Sequence, residues 1–334
     1  MRVELTIDRL GAQGDGIAES PGGPLFVPFT LPGERVMAEV ARDGKHADCL
    51  AVLDASPERV APVCPHFGAC GGCSLQHIET QAYLAWKREL VVQALASRGL
   101  DVPVEPVRPV PLGSRRRATF SLERRGKDAV LGYRRARSHD TIETEVCPIL
   151  SPAIVAALPA LKAMLFPLLG SRSEARVGIT ETENGLDVVL EGAPPPETAL
   201  AKLAGTAGAQ GIARINVGDE SVMLTPPTLR LGRAEVRLSP GAFLQASPAA
   251  EAEVVALVCE GVGKAKRLAD LFSGLGTFSF ALAESASVDA YENSAEALAA
   301  LEEAARHTPK LKPMRGYRRD LLQDPLGWQE LKPY

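Results

Sequence analysis

"LADLFSGLGTF", residues Leu268 to Phe278, is the stretch on which the reading of this chain turns. An apolar run of strand length reaches Asp270, then Gly274 and Gly276 lead into "FSFALAES", which has helical character. Glycines let a ligand approach the backbone closely, and the start of a helix offers unpaired N–H groups. A dinucleotide fingerprint would read G-x-G-x-x-G, and its third glycine is missing. A carboxylate at the strand end suits a cationic or amino-bearing ligand better than a pyrophosphate. The next strand, "SVDAYEN", closes on Glu292 about twenty residues on, where a ribose is held. The string D-x-F-x-G-x-G followed by that acid favours S-adenosylmethionine over NAD. An ordinary strand–helix turn is the structural alternative.

Around this loop the chain alternates strands and helices. The helix-like "SPAAEAEVVALVCEGV" precedes it, and "SAEALAALEEAARH" and "MRGYRRDLLQDP" follow. An α/β domain is expected over 241–334. Residues 1–56 differ. About five short alternating segments, broken by "GAQGDGIAES" and "SPGGP", predict a small OB-like β-barrel. Residues 57–105 hold a loop and then a helix with Tyr83, Trp86, Leu90, Val91 and Leu95 on one face. Residues 106–240 read as α+β, opening with a β-meander.

The loop contains "CPHFGACGGC", with Cys64, Cys70 and Cys73 spaced C-x5-C-x2-C, and Cys147 lies further on in "EVCPIL". The 334 residues include six cysteines, too few for a disulfide scaffold. The N-terminus shows no apolar signal region, and the most apolar stretch, 153–169, is interrupted by Pro159, Lys162 and Pro167. A cytoplasmic, reducing location without membrane contact is therefore expected, which disfavours disulfides. Four thiolates suit a [4Fe-4S] cluster or structural zinc. Zinc ribbons carry two C-x2-C knuckles and this chain has one, so iron–sulfur is preferred and zinc stays open. Cys49 and Cys259 sit singly in apolar patterns and are expected to be small buried hydrophobes.

The net charge of -4 makes no global argument for nucleic acid. Locally, Arg115, Arg116, Arg117, Arg124, Arg125, Lys127, Arg134, Arg135 and Arg137 face only Glu123 and Asp128 over one short span. Phe120 and Tyr133 are interleaved. Arginines bind phosphates and aromatics stack on bases, so Arg115, Arg116, Arg117, Phe120, Tyr133, Arg134 and Arg135 are candidate RNA contacts. A solvated charged sheet face is the alternative.

In order, "CPHFGACGGCSLQHI", "GYRRARSHDTIETEVCPIL", "SPGAFLQASP" and "LADLFSGLGTFSFALA" resemble the RNA uracil-C5 methyltransferases, and more closely their bacterial 23S rRNA branch. The resemblance covers essentially the whole chain. It implies a TRAM barrel at the N-terminus, a central RNA-binding domain with an iron–sulfur loop, and a Rossmann-like methyltransferase domain. It implies that Cys64, Cys70, Cys73 and Cys147 ligate a [4Fe-4S] cluster. It also implies that Gln245, Phe272, Glu292 and Asp320 contact S-adenosylmethionine, beside Asp270, Gly274, Gly276 and Thr277 of the loop. Ser247 and Ser273 stand where the family usually has asparagine and cysteine, and Thr277 where other members have asparagine.

The chemistry that the resemblance implies is addition of a cysteine thiolate to C6 of a flipped-out uracil, methyl transfer to C5, and loss of the C5 proton to a carboxylate. The family's Asp-Pro-Pro and Ser-Cys-Asn-Pro strings and its glutamate base are absent, so the chain is read as a truncated form of the enzyme or an incomplete gene; a monomer is expected. Other readings are a tRNA-directed enzyme, a non-catalytic RNA-binding iron–sulfur protein, and a radical methylthiotransferase. The last would show C-x3-C-x2-C and a terminal rather than leading TRAM domain.

Overall fold

The computed structural model describes residues 1–193, 203 and 207–334. The chain divides into two compact units: residues 1–109 with 133–142, and residues 110–132 with 143–334.

In the first unit, strands β1 (Arg2–Thr6), β5 (Arg35–Val40) and β6 (Ala47–Asp54) form one antiparallel sheet in the order β1-β5-β6. The short β2 (Arg9–Leu10), β3 (Gly16–Ala18) and β4 (Leu25–Val27) form a second. Ile7, Ala18, Val27, Val36, Ala38 and Ala47 close into one core. That is six strands where the turn signals suggested about five, because β2 and β3 are too short to show alternation. Glu34 is fully buried beneath them. Its carboxylate accepts from Arg59 Nη2 at 2.7 Å and from the Leu31 and Ser56 N–H groups. Burial pushes its pKa up, but these partners outweigh that and hold it below the ordinary value.

Helix α1 (Thr80–Ala96) starts where Glu79 accepts from the Gln81 and Ala82 N–H groups, an N-cap. None of its residues is fully buried, and Val91 is 48% exposed. The apolar face expected there is present as a pattern but is only half-covered.

Strands β7 (Arg117–Arg125), β8 (Asp128–Arg134), β9 (Thr141–Glu143), β10 (Glu174–Thr182), β11 (Gly185–Glu191), β12 (Ile212–Val217) and β13 (Glu220–Met223) build a mixed sheet that belongs to the second unit except for Tyr133 and Arg134 of β8 and Thr141 and Ile142 of β9. Its order is β13-β12-β11-β10-β7-β8-β9, with β11 and β12 parallel. The expected meander is its β7–β9 part. Helix α2 (Pro152–Leu165), capped by Ser151, buries Ile154, Ala157, Leu158, Leu161, Met164 and Leu165. The stretch 152–169 is long and apolar enough to cross a membrane by length and composition, yet this face of it is core.

Hairpin β14 (Thr228–Leu231) and β15 (Ala234–Arg237) precedes α3 (Pro248–Val262). Then come β16 (Arg267–Leu271), α4 (Ser279–Leu282), β17 (Ser287–Glu292), α5 (Ala295–His307) and β18 (Met314–Arg318). The three strands pair in parallel in the order β16-β17-β18. Leu229, Leu231, Val236 and Leu238 of the hairpin share one core with Leu275, Phe280 and Leu301. Burying each such side chain is worth about 2 kcal/mol, so residues before the 241 boundary help hold the parallel sheet. Cys49 and Cys259 are half-buried at the margins of two cores, rather than fully inside as expected.

Candidate cofactor site

Parallel strands all present their carboxyl ends at one edge, and ligands of such sheets bind there. β16 ends beside Asp270, β17 ends on Glu292, and Asp320 follows β18 by two residues. The loop 272–278 crosses the same edge. Phe272 has φ 60° and is 61% exposed, an unusual backbone state for a bulky residue. Ser273 N–H donates to the Tyr291 carbonyl at 3.0 Å, which ties the loop to β17. Gly276 has φ 95°, and a Cβ there would lie 2.8 Å from Phe280 Cε2. No other residue fits without moving that ring.

Glu292 is the organising acid. Its Oε2 accepts from Gly274 N–H at 2.9 Å and its Oε1 from Ser294 N–H at 2.8 Å. Each carboxylate oxygen keeps a lone pair beyond those bonds, so Glu292 can still accept from a diol. Asp270 behaves differently. It is buried, burial raises its pKa, and its Oδ2 accepts from Ser279 Oγ at 2.5 Å. Ser279 stands at the place of the missing third glycine of the dinucleotide pattern. Asp270 therefore ties the strand end to the start of α4 from beneath the loop. Ser273 Oγ is buried with no hydrogen-bond partner. Thr277 is half-buried, and so is Asp320, whose Oδ1 accepts from Leu322 N–H at 3.1 Å.

Gln245 lies on the segment before α3. Arg116 Nε donates to its carbonyl at 3.1 Å, Arg116 N–H donates to the Ala246 carbonyl, and Arg116 Nη2 donates to Glu251 Oε2 at 2.7 Å. Both side chains of this ion pair are about nine-tenths buried. This corrects one expectation: Arg116 is committed to structure and cannot meet a phosphate. Phe120 is corrected too, since at 1% exposure it is core and cannot stack on a base. Arg115 is exposed and Arg117 half-exposed. Tyr133 and Arg134 are half-buried and Arg135 is exposed, all in the first unit, where Arg134 meets His139 Nδ1 at 2.8 Å.

Cys64, Cys70 and Cys73 are half-buried on one loop of the first unit, and Gly72 N–H donates to Cys70 Sγ at 3.4 Å. Cys147 is half-buried in the second unit. The thiols have the right donor chemistry for a soft metal. Among the described residues, however, no three of His, Cys, Asp and Glu gather closely enough to hold a metal ion. No chemical step is derived through a cluster.

No family model matches the chain. An RNA methyltransferase of Brucella suis is 43% identical over 333 residues, 99% of this chain and 80% of that protein. The chain belongs to the RNA methyltransferase family. A second member, from Caulobacter vibrioides, is 42% identical over 98% of this chain and 81% of its own length. The 23S rRNA (uracil(1939)-C(5))-methyltransferase of Aeromonas salmonicida is 30% identical over 98% and 78%. Among solved structures, the Pyrococcus abyssi tRNA (uracil-54, C5)-methyltransferase bound to S-adenosyl-L-homocysteine matches with a TM-score of 0.71. It is 19% identical and covers 94% of this chain and 79% of its own, so it shares the fold. The names of these relatives give RNA as what they methylate.

Proposed function

We propose that this RNA methyltransferase transfers a methyl group from S-adenosylmethionine to C5 of a uridine, in 23S rRNA. The observation that carries the reading is the Glu292–Gly274 bond, which fixes an acid and a glycine loop at the carboxyl edge of β16 and β17. Glu292 would accept the ribose hydroxyls, and Gly274 and Gly276 would let the cofactor lie against the backbone. Phe272 would cover its base, and Asp320 and Gln245 would close the site from the sides. Asp270 and Ser279 hold the loop in register. S-adenosylmethionine supplies the electrophilic methyl. The choice of uridine C5 and of 23S rRNA is supported by the sequence motifs and by the name of the Aeromonas salmonicida relative.

Residues 1–56 are read as a TRAM-type RNA-binding barrel, supported by two antiparallel sheets around one core. Ligation of a [4Fe-4S] cluster by Cys64, Cys70, Cys73 and Cys147 rests on spacing and resemblance alone. The strings Asp-Pro-Pro and Ser-Cys-Asn-Pro do not occur in these 334 residues, so no residue here is assigned the attack on C6. Disrupting the gene should remove one 5-methyluridine from 23S rRNA, read by mass spectrometry of nuclease digests. Intact rRNA with loss of 5-methyluridine from tRNA would overturn the substrate.

A further inference from the structure

The segment "GAFLQAS", residues 241–247, is pinned at several points. Leu244 is 3% exposed and sits in the core with Phe280 and Leu301. Arg116 grips the Gln245 and Ala246 carbonyls, and Ser247 Oγ donates to Ser114 Oγ at 3.1 Å. Phe243, directly before Leu244, is left 74% exposed. A phenyl ring in water forgoes the stabilisation that burial would bring, and here neighbouring residues on a fixed backbone hold it outward. The Arg117 guanidinium stands over its ring at 5.6 Å, within cation–π range. Arg115, also exposed, donates from Nε to the Arg117 carbonyl at 3.1 Å, so a second cation is placed beside the first.

A rigid exposed aromatic flanked by arginines is what single-stranded nucleic acid needs: a π-face for a base and charge for its phosphate. We propose that Phe243 is a stacking platform for an RNA base adjoining the methylated nucleotide, with Arg117 and Arg115 on the neighbouring phosphates. This rests on the reading of RNA as substrate and deepens it. Phe243 lies two residues from Gln245, so the platform would be a positioning element next to the cofactor site. It also replaces Phe120 as the aromatic partner of the Arg115–Arg117 run.

The test is binding of a fluorescent RNA hairpin with a uridine in its loop, followed by anisotropy, beside calorimetric binding of S-adenosylhomocysteine. Phe243→Ala should weaken RNA binding roughly tenfold, the usual loss of one stacked base, with cofactor-product affinity unchanged. Phe243→Trp should restore it. Arg117→Gln should lower the slope of log affinity against log salt by about one. Equal RNA binding by wild type and Phe243→Ala overturns the platform and leaves RNA methylation standing. The same holds if Phe243→Trp binds as poorly as Phe243→Ala. A wild-type chain that binds S-adenosylhomocysteine but no RNA overturns both.

Discussion

Gly274 donates its backbone N–H to Glu292 Oε2 across a separation of 18 residues, and that bond joins the glycine loop to the end of β17. The acid is thus a loop anchor, and the proposed function gives it the ribose hydroxyls as well. Glu292→Ala should weaken S-adenosylhomocysteine binding about tenfold or more, since a hydrogen bond to a charged group is worth about 1.5–3 kcal/mol. Calorimetry checks this, and unchanged affinity would remove Glu292 from the site.

The two loop glycines should respond differently to alanine. Gly274 has φ 55° and open space around its Cβ position, so Gly274→Ala should cost about 1 kcal/mol of stability from backbone strain. Gly276→Ala adds a clash with Phe280 and Leu301 to the same strain, and should cost about 3 kcal/mol. Urea unfolding would rank them. Equal effects would mean that the ring of Phe280 moves freely.

Arg116 and Glu251 form a buried pair between β7's leading edge and α3. Removing one partner leaves the other charge uncompensated, so Arg116→Met should cost about 3–5 kcal/mol. Burial raises the pKa of Glu251 despite Arg116, so with the arginine gone the carboxyl should stay protonated further towards neutral pH. The loss for Arg116→Met should accordingly be smaller at acid pH than at pH 8, and a loss independent of pH would contradict this.

His77 gives the clearest acid effect. It is 1% exposed and packed against Phe29 and Phe67. Burial, aided by the Arg59 charge and opposed by Glu34 and by a hydrogen bond to the Thr30 backbone, lowers its pKa from 6.5 to about 4. The unfolded chain binds this proton more readily than the folded one. Stability from neutral His77 is present above pH 6.5 and lost as the pH falls towards 4, by about 3 kcal/mol. His77→Phe should flatten the melting temperature over that range. An identical slope for wild type and variant would refute the assignment.

The cysteine spacing carries its own prediction. Protein prepared without oxygen should hold about four iron and four sulfide, and Cys64→Ser or Cys147→Ser should lose them. Stoichiometric zinc instead would contradict the iron–sulfur expectation.

What could be read from the chain followed from local pattern. The D-x-F-x-G-x-G loop and its βαβ setting were legible because strand, turn and helix each signal within a few residues. Partnerships over long separations were not. The period of two that runs from Arg116 into β7 puts Arg116, Ala118 and Phe120 on one buried face. Only the fold shows that Glu251, 135 residues away, receives Arg116 there. The six-strand count was hidden by strands of two and three residues. Phe243 is not marked in the sequence, because an exposed phenylalanine looks the same there as a buried one. The outward alternation against Leu244 was its only signal.

The most direct test of the account is a chromosomal Glu292→Ala allele, with 5-methyluridine in 23S rRNA measured by mass spectrometry against wild type and a gene disruption. The account predicts that the allele loses the same 5-methyluridine as the disruption while the protein is still produced. An allele that keeps full 5-methyluridine, or a disruption that changes no uridine in 23S rRNA, would contradict it.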